Sequence, residues 1–555
     1  MSGAVSLEAL TEHIVTANYP RAADTFCALL KEGHRLLDVV RVAIDTTAPY
    51  VQAPSHIMPK GDGTFRGVNY DHTVLGWRAS WRLTPHLPDP ARLLPMTQAM
   101  WYVPQGLDVW DQVLCEFPGH YARDQEKCDE REAAQTPERA AGLPGPTGTN
   151  TRTGGRFDGP AWRPPKVHFE DHPPLRVGSP QERLERMWWA IMTGERVEGY
   201  RLFLGLAEEP EYRTRLKDTI LMAGIIDLQE TIIQRGSFQN IGHKALRARA
   251  MLDLADTLGW ENAHGVFYTV VPDLGCTPRF HELWALTSNL LPMEFRNWQE
   301  LKRANTAPLT EREVDEVVDV INWGQPGDVV ALITELLRRG RALLAIADAI
   351  VIAFVHNEIH VMEHPNAFFT PGHAFDYCNV VNHWLRTYDN PHQAKALYFE
   401  AVFVNDVLRA NMLFPRDPAM ALKSPKVHAR EMEQQSEREL LVTLAQAIDM
   451  QDAPRALAAV DEYLARTGER EALIATLCYA ASKVQNDPHV ARKCASSIEE
   501  YRHNSTHRKD DILRGWTKYL ARAVRRSTDL GCYRLFRQHF LGERGRHERP
   551  LPLNA

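Results

Sequence analysis

The chain has 555 residues and a formal net charge of −7, so it can bury a large core without staples and carries no basic field pointing to nucleic acid. Hydrophobic residues make up 44% and charged residues 24%, the balance of a folded globular protein rather than a disordered one. The eight cysteines show no C-x-x-C or C-x-H spacing, which excludes zinc-ribbon, thioredoxin and Rieske ligand patterns and suits a reducing compartment.

Residues 1–121 read as an N-terminal helical region. The opening MSGAVSLEALTEHIV has neither a basic n-region nor an apolar h-region, so no signal peptide is expected and the cytoplasm is the default location. GVNYDHTVLGWRASWRLTPHLPDPARLLPMTQAMWYV, with His72, reads as a turn, a helix, a break and a second helix. Residues 122–181 are rich in Pro, Gly, Thr, Arg and Glu and lack apolar periodicity, the signature of a linker or surface loop. Residues 182–530 read as the main helical domain. PQERLERMWWAIMTGERVEGYRLFLGL and EPEYRTRLKDTILMAGIIDLQETIIQ carry apolar residues at helical spacing. The apolar run Ala342–Val355, interrupted by Asp348, is too short to span a bilayer and predicts a buried core helix. SERELLVTLAQAIDM, APRALAAVDEYLART, EREALIATLCYAASKV and KDDILRGWTKYLARAVRRS predict four successive helices. Residues 531–555 read as a C-terminal tail with a solvated basic surface. No strand–helix alternation appears, so the expected fold is all-α: a large helical assembly of repeated helical hairpins with one long Pro/Gly-rich loop.

The hairpins are suggested by self-comparison. FQNIGHKALRARAMLDLADTLGWENAHGVFYTVV, with His243, and FTPGHAFDYCNVVNHWLRTYDNPHQAKALYFEAVFV, with His373, align with the segment around His72. Glu230 stands 13 residues before His243, and His360 stands 13 before His373. Before His72 the candidate is His56, with three extra residues in PKGDG, so each unit is expected to offer a polar group late in one helix and a histidine early in the next. DPHVARKCASSIEEYRH adds His489 and Lys493 at i and i+4, with Glu499 and Glu500 following, either as a solvated amphipathic face or as a fourth wall of the same site.

The ionisable residues allow several chemistries. His356 and His360 share a helix face, and His360-x-x-Glu363-His364 matches an inverted zincin pattern, although Pro365 disfavours a helix there. Glu500-Tyr501-Arg502-His503 is a lone Glu-x-x-His, where a di-iron site needs two. A mononuclear site of His72, His243, His360, His373 and Glu230 holding non-haem iron or another transition metal is a further option. No G-x-G-x-x-G or G-x-x-x-x-G-K-[ST] motif is present, so neither a Rossmann nor a P-loop nucleotide site is expected.

GHKALRARAML, TPGHAFDYCNVVNHWLR with KALYFEAVFVND, and DPHVARKCASSIEEY resemble the questin oxidase-like family and related bacterial helical domains, some of which are fused to Rieske modules. The similarity spans roughly residues 185–525, with a fainter echo at 20–110. The resemblance implies an all-helical oxidoreductase that uses NADPH and oxygen for Baeyer–Villiger-type cleavage of polyketide quinones. It carries His243, His373, His489 and Lys493 over as catalytic positions, with no Rieske ligand set in this chain. The expectation is therefore an oxidase or monooxygenase acting on an aromatic or polycyclic small molecule at a histidine-lined core site. A redox partner protein is the expected macromolecular partner, with no nucleic acid and no membrane. The competing readings are a helical scaffold, a haem protein and a zinc hydrolase.

Overall fold

A computed structural model describes residues 5–16, 18–50, 58–59, 65–68, 71–104, 109–110, 172–228, 242–275, 287, 298–362, 369–411, 424–483, 488–522 and 531–542. Among them the fold is all-α, with one exception. Met58–Pro59, Phe65–Val68 and Val109–Trp110 pair as a small antiparallel sheet with Phe65–Val68 in the middle. Strands of two to four residues are too short to carry an alternating pattern, which is why the sequence does not betray them.

Local chemistry explains many of the helix ends. Ser179 with Glu182, Thr310 with Glu313 and Ser436 with Glu439 form capping boxes at the starts of Pro180–Thr193, Glu311–Trp323 and Glu437–Asp449, satisfying amides that helix geometry leaves open. The pattern from Pro180 onward splits at Gly194 into Pro180–Thr193 and Arg196–Ala207. All four helices expected near the C-terminus form, as Glu437–Asp449, Ala453–Arg466, Glu471–Ser482 and Asp510–Arg522. Gly531–Phe540, within the stretch read as a tail, is a helix packed on Tyr19–Lys31 and Leu94–Tyr102. Most of residues 122–181 lies outside the described residues, but Leu175 donates its amide to the Arg201 carbonyl at 2.8 Å, so the end of that stretch is docked.

Four helices form a closed ring at the centre. Asp71–Leu83 packs on His243–Leu258 and on His489–His503, and Phe369–Thr387 packs on the same two. Each is followed by a helix that packs against it: Leu94–Tyr102, His264–Leu274, Gln393–Asn411 and Asp510–Arg522. The three segments aligned around a histidine therefore each supply one ring helix, and the segment starting at His489 supplies the fourth. The apolar run becomes Leu343–His360, 18 residues long. It is long and apolar enough to cross a membrane, but it is mostly buried within the protein, packed on Glu311–Trp323, Phe369–Thr387 and Asp510–Arg522.

Close backbone approach positions the ring helix that begins at His243. A Cβ at Gly224 would lie 2.7 Å from the Lys244 carbonyl oxygen and 2.8 Å from the Ala245 Cα, atoms that cannot rotate away. We predict that Gly224→Ala destabilises the protein by about 1–3 kcal/mol through overpacking. A urea midpoint shifted down at unchanged slope would show it; an unshifted midpoint would mean that the two helices slide apart freely.

Candidate functional site

The ring helices bring three histidines together at one end. His243 and His489 are the first residues of their helices, and His373 begins the second turn of Phe369–Thr387. The His243 and His373 ring centroids are 4.7 Å apart, and those of His373 and His489 4.6 Å, both edge-to-face. His373 Nε2 and His489 Nε2 are 3.0 Å apart, so one ring donates an N–H to the other's lone pair. His373 is fully buried and the other two nearly so. Gly242 shapes the entry. Its φ of +90° is a left-handed conformation that favours glycine, and a Cβ there would meet Tyr377 at 3.1 Å.

Polar layers follow beneath the triad. Asp376, three residues after His373, accepts from Ser496 Oγ at 2.8 Å and lies 3.2 Å from Arg492 Nε, three residues after His489. Deeper lies a cluster of charges, buried at Arg78, Arg249 and Glu499 and half-buried at Asp253 and His383. Arg78 donates to Asp253 at 2.9 Å and to Glu499 at 3.4 Å. Arg249 donates to Asp253 at 3.0 Å and to Glu499 at 3.1 Å. His383 Nδ1 is 3.7 Å from Glu499. Asp253, His383 and Glu499 each stand ten residues after their helix's histidine, which puts them at one depth, about 15 Å below the triad. Contact between positions of equal depth means that these three helices run parallel. Below again, Glu500 accepts from Asn379, Asn382 and Arg386 at 2.8, 2.9 and 3.1 Å.

Charge pairing tunes these groups. Burial alone would raise the Glu499 carboxyl, but Arg249 and Arg78 outweigh it and bring its pKa down to about 2. Asp253 is lowered by Arg249 and Arg78 against the same burial. Burial, reinforced by Arg249, takes His383 down to about 3 despite Glu499 and Asp253. Glu400, fully buried, is pushed well above the ordinary carboxyl range by burial and further by Glu500.

The structure sorts the residues singled out in the sequence. His243, His373 and His489 meet. Lys493 lies one turn below His489 but faces elsewhere: its ammonium is 2.9 Å from Glu358 Oε2 and 3.4 Å from the centroid of Phe375, with Phe354 and Tyr519 also close. A lysine held in a buried ion pair and an aromatic cage is not presented to the triad. His360 is exposed at the end of Leu343–His360, beside His356 with ring centroids 4.6 Å apart. The charges it feels are those of Lys518, Asp511, Arg508 and Arg514, so its outward face separates it from the triad. His72 sits in the first turn of Asp71–Leu83, but its side chain, like Glu230 altogether, lies outside the described residues. The helix ends at His360, and Glu363 and His364 of the His360-x-x-Glu363-His364 pattern lie outside the described residues. Glu500 is buried whereas His503 is exposed, which splits that Glu-x-x-His pair.

Among the described residues, no group of three or more His, Cys, Asp or Glu side chains is arranged to hold a metal ion. Across the direct Nε2–Nε2 contact His373 and His489 can share a proton, and His72 and Glu230, the other expected ligands, have side chains outside the described residues. Sequence reasoning did not find Arg78, Arg249, Asp253, His383, Asp376 or Arg492. The available signal was the polar residue recurring ten positions after each of three histidines. Comparison of the chain with protein-family models, with curated proteins and with solved structures gives no match in any of the three.

Two pH effects follow. His383 takes up a proton near 6.5 when unfolded but only near 3 when folded, so acidification between those values favours the unfolded chain. His383→Gln is expected to flatten the loss of stability between pH 6 and pH 4.5 by about 1.4 kcal/mol per pH unit at most. Parallel slopes for variant and wild type in urea titrations would contradict this. Glu400 has the opposite sign: the folded state keeps a proton that the unfolded state releases above roughly pH 4.3, so stability falls as pH rises. Glu400→Gln is expected to stabilise the protein more at pH 8 than at pH 5, read from melting temperatures in matched buffers.

Proposed function

We propose that the protein is an oxidoreductase, an oxygen-dependent oxidase or monooxygenase, acting on an aromatic or polycyclic small molecule at the histidine triad. The observation that carries this reading is the convergence of His243, His373 and His489, from three helices far apart in sequence, with two ring nitrogens 3.0 Å apart. Mutual packing of helices does not require three imidazoles at one point, so the convergence supports a site over a scaffold. The resemblance to the questin oxidase-like family supports the reaction class and an aromatic substrate.

The triad's chemistry is proton transfer. The hydrogen-bonded pair has one N–H between its facing nitrogens, so it can take a proton from a phenolic or enolic oxygen and pass it along. The substrate O–H bond breaks, an imidazole N–H forms, and the electron pair stays on oxygen, raising its reactivity toward an oxidant. His243 packs edge-on against His373 and holds that ring's orientation. Burial excludes water from the pair. NADPH and oxygen are the co-substrates the resemblance implies. The described residues show no phosphate-cradling loop, so no step is assigned to the nucleotide. Among the described residues no three-ligand metal group is found, and no step is assigned to a metal.

The test is oxygen and NADPH consumption by the purified protein across a panel of hydroxylated anthraquinones and naphthols. Substrate-dependent uptake is expected, with His373→Ala and His489→Ala each slower by roughly 10²–10⁴-fold while retaining the wild-type circular dichroism. No consumption by the wild type across the panel, or unimpaired variants, would overturn the reading.

A further inference from the structure

Arg492 stands apart from the other deeply buried arginines. Arg78, Arg183 and Arg249 all donate hydrogen bonds to carboxylates. Arg492 is 4% exposed, and none of its three guanidinium nitrogens makes a hydrogen bond. Asp376 Oδ2 lies 3.2 Å from Nε as an ion pair without a hydrogen bond, while Asp376 Oδ1 accepts from Ser496, and neither Nη1 nor Nη2 is hydrogen-bonded. A guanidinium carries five N–H donors, and leaving them open in the interior costs free energy unless something arrives to accept them.

Its position suggests what arrives. Arg492 and His489 are three residues apart, on one face of His489–His503. Their partners, Asp376 and His373, are also three apart on Phe369–Thr387. The open guanidinium therefore lies one turn below the triad, at the interface where two ring nitrogens meet. It stands in the first turn of its own helix, whose N-terminal amides carry positive partial charge. The helix beginning at His243 brings its own N-terminus to the same place. Positive helix ends and an unsatisfied planar fork favour an anion, and the fork matches a carboxylate by two parallel N–H···O bonds.

We propose that Arg492 is a specificity-determining residue that binds a carboxylate of the substrate, so that the site takes aromatic carboxylic acids in preference to neutral aromatics. The proposal rests on the reading of the triad as the substrate site. With the carboxylate seated on Arg492, the aromatic body extends toward His373 and His489. Arg492 is a binding group and takes no part in the proton transfer.

The experiment is binding of naphthalene-2-carboxylate and of its neutral analogue naphthalene-2-carboxamide, followed by calorimetry on the full chain at pH 7. The wild type is expected to prefer the carboxylate by about tenfold or more. Arg492→Gln is expected to lose that preference while binding the amide as the wild type does, and Arg492→Lys to keep part of it as a point charge. Should Arg492→Gln fail to fold, as judged by circular dichroism, Arg492→Lys alone decides: a preference unchanged from the wild type overturns the proposal. Equal wild-type affinities, or no carboxylate binding at all, also overturn it and leave Arg492 hydrated by water. The readout does not depend on turnover. Arg492-dependent carboxylate binding without oxygen uptake on any substrate would sink the oxidase reading alone. Oxygen uptake with no carboxylate preference would sink this proposal alone.

Discussion

The ring of central helices depends on one constraint: its buried charges must find one another at a single depth. Arg78, Arg249, Asp253 and Glu499 come from three helices and are closed into mutual pairs. Removing one member of such a buried pair typically costs about 3–5 kcal/mol, because the other is left uncompensated. A slip of one helix by a single turn would move its charge about 5 Å out of the layer. The layer therefore acts on register more than on net stability. Apolar contacts of Val, Leu and Ala along these helices would tolerate several registers; the ion pairs tolerate one.

That fixed register determines what happens about 15 Å away. Rigid parallel helices with their charges locked at one depth must also present their first turns at one depth. The histidines ten residues before those polar groups on three of the helices then meet without any loop being needed to bring them together. The side pairs Lys493–Glu358, Lys244–Asp227 and Arg247–Asp273 do the same work against the surrounding helices. Each joins a ring helix to a residue outside the ring. The triad is thus supported from below by the charge layer and from the sides by these pairs.

The helices were legible in the sequence because apolar spacing and caps are local. Ser436 and Glu439 announce Glu437–Asp449 within four residues. The histidines were legible as a set because they recur in similar surroundings at helix starts. The charge layer was not. Arg78 and Glu499 are 421 residues apart, and each alone looks like the polar face of an amphipathic helix. His489–His503 could be read as solvated for that reason, although nearly all of it is buried. His360 was attractive because it precedes His373 by the offset that separates Glu230 from His243. On Leu343–His360, however, the inward face is the one bearing Glu358, and two residues further the helix has turned about 200°. Periodicity identifies a face but not which neighbour covers it, so Lys493 could be placed near the triad in sequence and still point to Glu358 in space.

The parallel arrangement carries an electrostatic consequence that the sequence gives no hint of. Antiparallel bundles alternate their helix ends, and the partial charges cancel. Here the helices starting at His243, at Phe369 and at His489 send their positive ends the same way. Such an end disfavours added positive charge, so neutral imidazoles sharing a proton suit it better than a cluster of imidazolium ions. It also explains how Lys493 is handled: its ammonium, four residues into its helix, is drawn sideways to Glu358 and three aromatic rings instead of adding to the positive end. Arg492 pairs with Asp376 Oδ2 through Nε alone, while Oδ1 of that carboxylate serves Ser496. The same geometry that brings the histidines together thus leaves the guanidinium N–H groups of Arg492 without hydrogen bonds one turn beneath them.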